Sequence, residues 1–161
     1  GHLVNQEHRK NFRLMIFGSV AELGDIGYQK ATWLDPEMQN PHFTFGEFFE
    51  CFYDAGAGDY EAIDPNSARA PFKTHVDQGH ISAEERDIVW RVHLALKDYQ
   101  EPGDAYDHAS ILADPKWLEV VSIARKATEQ LREIFADPVD QTSLENKLPP
   151  PEQKKWPQAL N

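Results

Sequence analysis

Three groups of side chains have types and spacings that could do chemistry. His75, Asp77 and His80 place two imidazoles and a carboxylate within six residues, and His42 could join them from elsewhere in the chain. Neutral imidazole and carboxylate suit zinc or a similar divalent metal, so these residues define a metal-dependent enzyme as one expectation. Their spacing matches no motif with a mechanism attached, and a solvated polar loop competes with that reading. Cys51 is the only cysteine. A nucleophilic thiol needs an electropositive setting, whereas Cys51 stands between Glu50 and Phe52. It is therefore expected to be a small buried hydrophobe.

The third group is the largest. Residues 31–70 hold eight acidic side chains against Arg69 alone, and also eight of the chain's aromatic rings. Trp33, Glu47, Glu50, Asp54, Asp59, Tyr60 and Asp64 are the expected contact residues of an acidic, aromatic surface that captures a basic protein. Charge complementarity speeds such an encounter, and desolvated rings supply most of the affinity. A solvated acidic face over an ordinary aromatic core is the competing reading. On this view the protein is a non-catalytic binding module, immunity-like or an adaptor, with no cofactor. A divalent metal enters only through the His/Asp alternative.

Other acidic groups carry less. Glu47 and Glu50 lie three apart, but a di-metal carboxylate bundle also needs Glu-x-x-His pairs on further helices. The nearest imitation is Asp77-x-x-His80, which falls in a loop. Asp104, Asp107, His108 and Asp114 lie between Pro102 and Pro115, where acids usually cap helices and close turns. Gly56-Ala57-Gly58 lacks the Lys-Ser/Thr of a phosphate cradle, and no Gly-x-Ser-x-Gly elbow occurs.

The chain has 161 residues, enough for one domain with its own core. A net charge of −11 argues against nucleic acid or an anionic bilayer as partner. No run of about eighteen apolar residues exists to span a membrane. The chain opens Gly1-His2-Leu3 without Met or a basic-then-apolar leader, so Gly1 is read as a processing or expression remnant. One free cysteine and no export pattern suit a cytoplasmic protein.

Four longer segments read as helices. Phe12, Met15, Ile16, Val20 and Leu23 form a helical stripe, and a short helix follows through Tyr28, Gln29 and Trp33. Thr44 with Glu47 is a capping box, Phe43 with Phe48 its hydrophobic staple, and Phe45, Phe48, Phe49 and Phe52 share one face. A loop from Gly56 to His80 is long enough to suggest function or mobility. Ser82 with Glu85 opens a helix whose stripe is Ile88, Val89, Val92, Leu96 and Tyr99. Asp114-Pro115 opens the last, carrying Trp117, Val120, Val121, Ala124, Leu131, Ile134 and Phe135 inward, with Arg125 and Glu129 as a surface pair. No segment alternates with period two. The expected fold is all-α: a bundle of four to five helices over 1–137 with a long central loop, then a Pro-rich tail over 138–161.

The run Phe17-Gly18-Ser19-Val20-Ala21-Glu22-Leu23-Gly24-Asp25, with Tyr28-Gln29 and Trp33, resembles the start of a small bacterial family of acidic, mostly helical proteins of unknown function. The likeness covers residues 12–53. It implies a bacterial cytoplasmic protein, and it supplies no activity and no catalytic residues.

Overall fold

The structure is a computed structural model that describes residues 2–34 and 44–134, with side chains from residue 9 onward. His42, Phe43, Phe135 and the tail over 138–161 lie outside the described residues. The described residues form seven helices and no strand, so the fold is all-α. In order these are α1 (His2–Leu23), α2 (Ile26–Trp33), α3 (Phe45–Gly56), α4 (Lys73–Asp77), α5 (Ala83–Asp98), α6 (His108–Ala113) and α7 (Pro115–Ile134). None is long and apolar enough to cross a membrane.

Local signals start these helices where their chemistry requires. Thr44 accepts the Glu47 N–H at the head of α3, and Asp25 accepts the Tyr28 N–H at the head of α2. Ser82 and Glu85 close a complete reciprocal capping box on α5. Asp114 accepts the Lys116 N–H ahead of Pro115, and its other carboxylate oxygen takes the Tyr99 hydroxyl. Asp107 caps α6 through Ser110, and Asp104 closes a turn onto the Tyr106 N–H. Asp104, Asp107 and Asp114 thus serve as caps and turn closures, with Asp114 also holding the Tyr99 hydroxyl.

The two short helices α4 and α6 lie within segments that the residue pattern reads as loops. Helices of five and six residues are too short to show a helical period, so only packing reveals them. The 56–80 segment is also more tightly held than its length suggests. A backbone bond from the Asp59 N–H to the Arg69 carbonyl joins the ends of a compact Ω-loop, and the Phe72 N–H donates to the Gly56 carbonyl beyond it. Phe72 itself is fully buried with φ of 73°, a backbone cost that its packing offsets.

Helix α1 packs between α3 and α7, and α7 also packs along α5. Ile16, Phe17, Val20 and Leu23 are buried as a result, while Met15 turns outward. Phe17 had no place in the apolar stripe. A helix covered on two sides buries a wider arc than one stripe describes. Gly24 allows the closest approach: a Cβ there would stand 2.7 Å from the Arg125 backbone nitrogen on α7. Arg125 reaches back to the Gly24 carbonyl at 3.4 Å, a use its spacing from Glu129 did not suggest.

Two buried polar contacts join these helices across long sequence distances. Gln29 is fully buried and donates its amide N–H groups to the Glu22 and Leu23 carbonyls at the end of α1. Its oxygen accepts the indole N–H of Trp117, also fully buried, at 2.9 Å. Glu85, already the reciprocal partner of Ser82, accepts Arg13 from α1 at 2.6 Å.

Gln29→Leu keeps the volume but removes the partner of the indole N–H and of the Leu23 carbonyl, while the Glu22 carbonyl keeps the Asp25 N–H. Each orphaned buried group costs roughly 1–3 kcal/mol, so the variant should lose several-fold more stability than a surface change. Urea unfolding followed by tryptophan fluorescence checks this. A loss below about 1 kcal/mol would show that these bonds are replaceable by water.

Candidate functional site

Four of the seven expected contact residues meet at one place. Glu50, Asp54, Asp59 and Tyr60 line a surface cleft of about 250 Å³ together with Phe49, Tyr53 and Gly58. Its wall is the second half of α3 and its lip is the start of the Ω-loop. Three rings form the apolar side. Phe49 lies 4.9 Å from Tyr53 and 5.8 Å from Tyr60, and Tyr53 lies 6.2 Å from Tyr60, all inclined to one another. Such separations are ordinary ring-to-ring packing.

A buried relay sets the position of the rings. The imidazole of His93 on α5 is fully buried. Its Nε2–H donates to the Ala62 carbonyl of the Ω-loop at 2.7 Å, because a carbonyl can only accept. Nδ1 is therefore the lone-pair nitrogen, and it accepts the Tyr53 hydroxyl at 2.7 Å. Helix α3, helix α5 and the loop are tied by this one neutral ring, with Trp90 packed on it at 4.6 Å. At the base of the cleft, a Cβ on Gly58 would collide with the backbone of Pro71. Gly58 thus permits the close approach that folds the loop back. The αL cap of α3 falls on Ala57, with φ of 54°.

The remaining expected contacts fall elsewhere. Trp33 is a correction: it is only 6 % exposed, packed among Phe45, Phe48, His108 and Trp117. A ring at the end of a short helix looks accessible in sequence, but four other rings cover it. Glu47 is half-buried one turn before the cleft, and Asp64 is exposed and caps a turn through the Asn66 N–H. Cys51 is a second correction, since the thiol is exposed rather than buried. Its pKa is raised, by partial burial first and then by Glu47, Glu22, Asp54 and Glu50. The carboxylates of its own helix were legible in the sequence, whereas Glu22 is brought near from α1 by the fold.

The histidine group also has a different setting from the one expected. His75 is buried rather than solvated, 4 % exposed. Its Nε2–H donates to the Ala55 carbonyl at 2.8 Å, which leaves Nδ1 to accept from His80 Nδ1–H at 2.9 Å. Phe12 stacks on His80 at 4.4 Å and tilts over His75 at 5.0 Å. Asp77 is turned to Lys73, with Nζ to carboxylate distances of 2.6 and 2.7 Å. Both nitrogens of His75 are committed while these bonds stand, and His42 lies outside the described residues. Among the described residues, no three His, Cys, Asp or Glu side chains are grouped to hold a metal.

His108 is a residue whose role the sequence did not suggest. It accepts the Phe45 N–H at 3.4 Å and donates Nδ1–H to the Trp33 carbonyl at 3.2 Å, joining the end of α2 to the start of α3.

No family model, curated protein or solved structure matches this chain, so the functional reading rests on residue chemistry and geometry.

Burial is the largest cause that pushes both His75 and His93 below the ordinary histidine pKa of 6.5, partly opposed by their bonds to the Ala55 and Ala62 carbonyls. Between the folded values and 6.5 the unfolded chain binds more protons, so stability rises with pH across that window. It is fully present above about pH 6.5 and is lost as pH falls towards the folded values. The urea midpoint at about pH 5.5 should be lower than at about pH 7.5, and His75→Gln/His93→Gln should flatten the difference. An unchanged slope in the double variant would assign the acid sensitivity to other groups.

Proposed function

We propose that this chain is a non-catalytic binding module that captures a basic protein at the cleft between α3 and the Ω-loop. The supporting observation is that Glu50, Asp54, Asp59 and Tyr60 are gathered on one concave surface beside Phe49 and Tyr53. At about 250 Å³ the cleft is smaller than the roughly 300–1,000 Å³ typical of cofactor and small-molecule sites, which favours a single protruding side chain as occupant. Beyond the cleft, Ile63 on the same loop is 75 % exposed and Tyr60 is 46 % exposed. An apolar rim beside an acidic cleft suits a partner whose basic residues are interleaved with apolar ones. Exposed ion pairs contribute little individually, so the rings must supply much of the affinity while the charges supply selection and encounter rate. A bacterial cytoplasmic adaptor, or an immunity-like protein that neutralises a basic toxin, would use such a surface.

The test compares two variants of equal net charge. One carries Glu50→Lys, Asp54→Lys and Asp59→Lys in the cleft. The other carries Glu119→Lys, Glu129→Lys and Glu133→Lys on the exposed side of α7. In affinity capture from cell lysate, a basic protein should be retained by the native chain at low salt and released as salt is added. The α7 variant should still retain it, and the cleft variant should lose it with its helical circular dichroism unchanged. Equal retention by both variants, or equal loss, would mean that net charge and not this cleft governs binding.

A further inference from the structure

The cleft carries an electrostatic conflict that a ligand of defined chemistry would relieve. Glu50 and Asp54 are one helical turn apart on α3, and like charges at that spacing repel. Asp54 also stands near the C-terminal end of the helix, where the backbone carbonyls already present negative charge, and the last turn holds no basic residue. Among the described residues neither carboxylate has an ion-pair partner. Asp59 at the lip does have one, the Arg69 guanidinium at 3.2 Å, so a guanidinium already lies against one carboxylate of this cleft.

Ring geometry narrows the occupant further. The separations of 4.9–6.2 Å among Phe49, Tyr53 and Tyr60 leave no room for an ion between them. Of the three rings Tyr60 is the exposed one, at 46 %, and so the one open to a cation. A planar guanidinium can stack flat on that ring while its edge donates paired N–H groups to carboxylates, whereas an ammonium offers neither the flat contact nor the paired edge. We infer that the cleft receives the guanidinium of an arginine presented by the partner, stacked on Tyr60 and held by Glu50 and Asp54. This deepens the capture reading above and rests on it for the source of the arginine.

The test titrates three capped tripeptides, Gly-Arg-Gly, Gly-Lys-Gly and Gly-citrulline-Gly, into the full chain and follows backbone amide shifts. The arginine peptide should shift amides in 49–54 and 58–60, and the lysine and citrulline peptides should bind roughly tenfold more weakly. Glu50→Gln/Asp54→Asn keeps the cleft's shape and should also weaken the arginine peptide roughly tenfold, with amide positions elsewhere unchanged. Tyr60→Ala should bring arginine down to the level of lysine. Equal binding of arginine and citrulline, equal binding of arginine and lysine, or shifts spread over the whole acidic surface would each overturn the assignment. If a captured basic protein depends on the cleft while the arginine peptide leaves it unshifted, the arginine assignment fails and the capture reading stands. If the arginine peptide binds there and no basic protein is captured, the assignment stands and the capture reading fails.

Discussion

The side-chain amide of Gln29 is the contact on which the helical packing depends. It lies fully inside the protein, donates twice to the end of α1 and accepts once from Trp117 at the start of α7. A buried amide is stabilising only when its hydrogen-bonding capacity is met, and here both its donors and its acceptor are used. Trp117 is then held where Trp33, Phe45 and Tyr99 pack on it. Because Phe45 opens α3, the same contact fixes how that helix leaves the core. The acidic cleft sits on the far half of that helix.

Rigidity at the cleft has a separate source. His93 links Tyr53, α5 and the Ω-loop through two bonds of 2.7 Å, and Gly58 lets the loop close against Pro71. Preorganised rings lose little freedom when a partner binds, which favours affinity. The same arrangement depends on a neutral imidazole, since a proton on Nδ1 would remove the acceptor that Tyr53 needs. His75 makes a parallel use of its imidazole, bonded to the Ala55 carbonyl on one side and to His80 on the other, with Phe12 stacked on His80. Histidines with metal-like spacing can thus serve as structural bridges, because an imidazole with one donor and one acceptor joins elements that a backbone alone leaves apart.

Much of the fold was legible because its signals are local. Thr44, Ser82, Asp107 and Asp114 sit next to the N–H groups they satisfy, and the Phe45, Phe48 and Phe52 face needs only helical periodicity. The acidic and aromatic character of the cleft was legible for the same reason, since Glu50, Asp54, Asp59 and Tyr60 are close in sequence. Other features gave no local sign. Arg13 and Glu85 are 72 residues apart, and Gln29 and Trp117 are 88 apart. Nothing near either member of a pair announces the other.

By itself, then, the sequence determined that the chain is helical, where α3, α5 and α7 begin, and which stretch concentrates negative charge and rings. These follow from backbone hydrogen bonding and side-chain period, which act over a few residues. Only tertiary structure decided that Trp33 is covered, Cys51 exposed, His75 buried against His80, and Tyr60 brought beside Phe49 and Tyr53. Periodicity states which residues share a face. Whether that face meets water or another helix depends on the packing of distant segments.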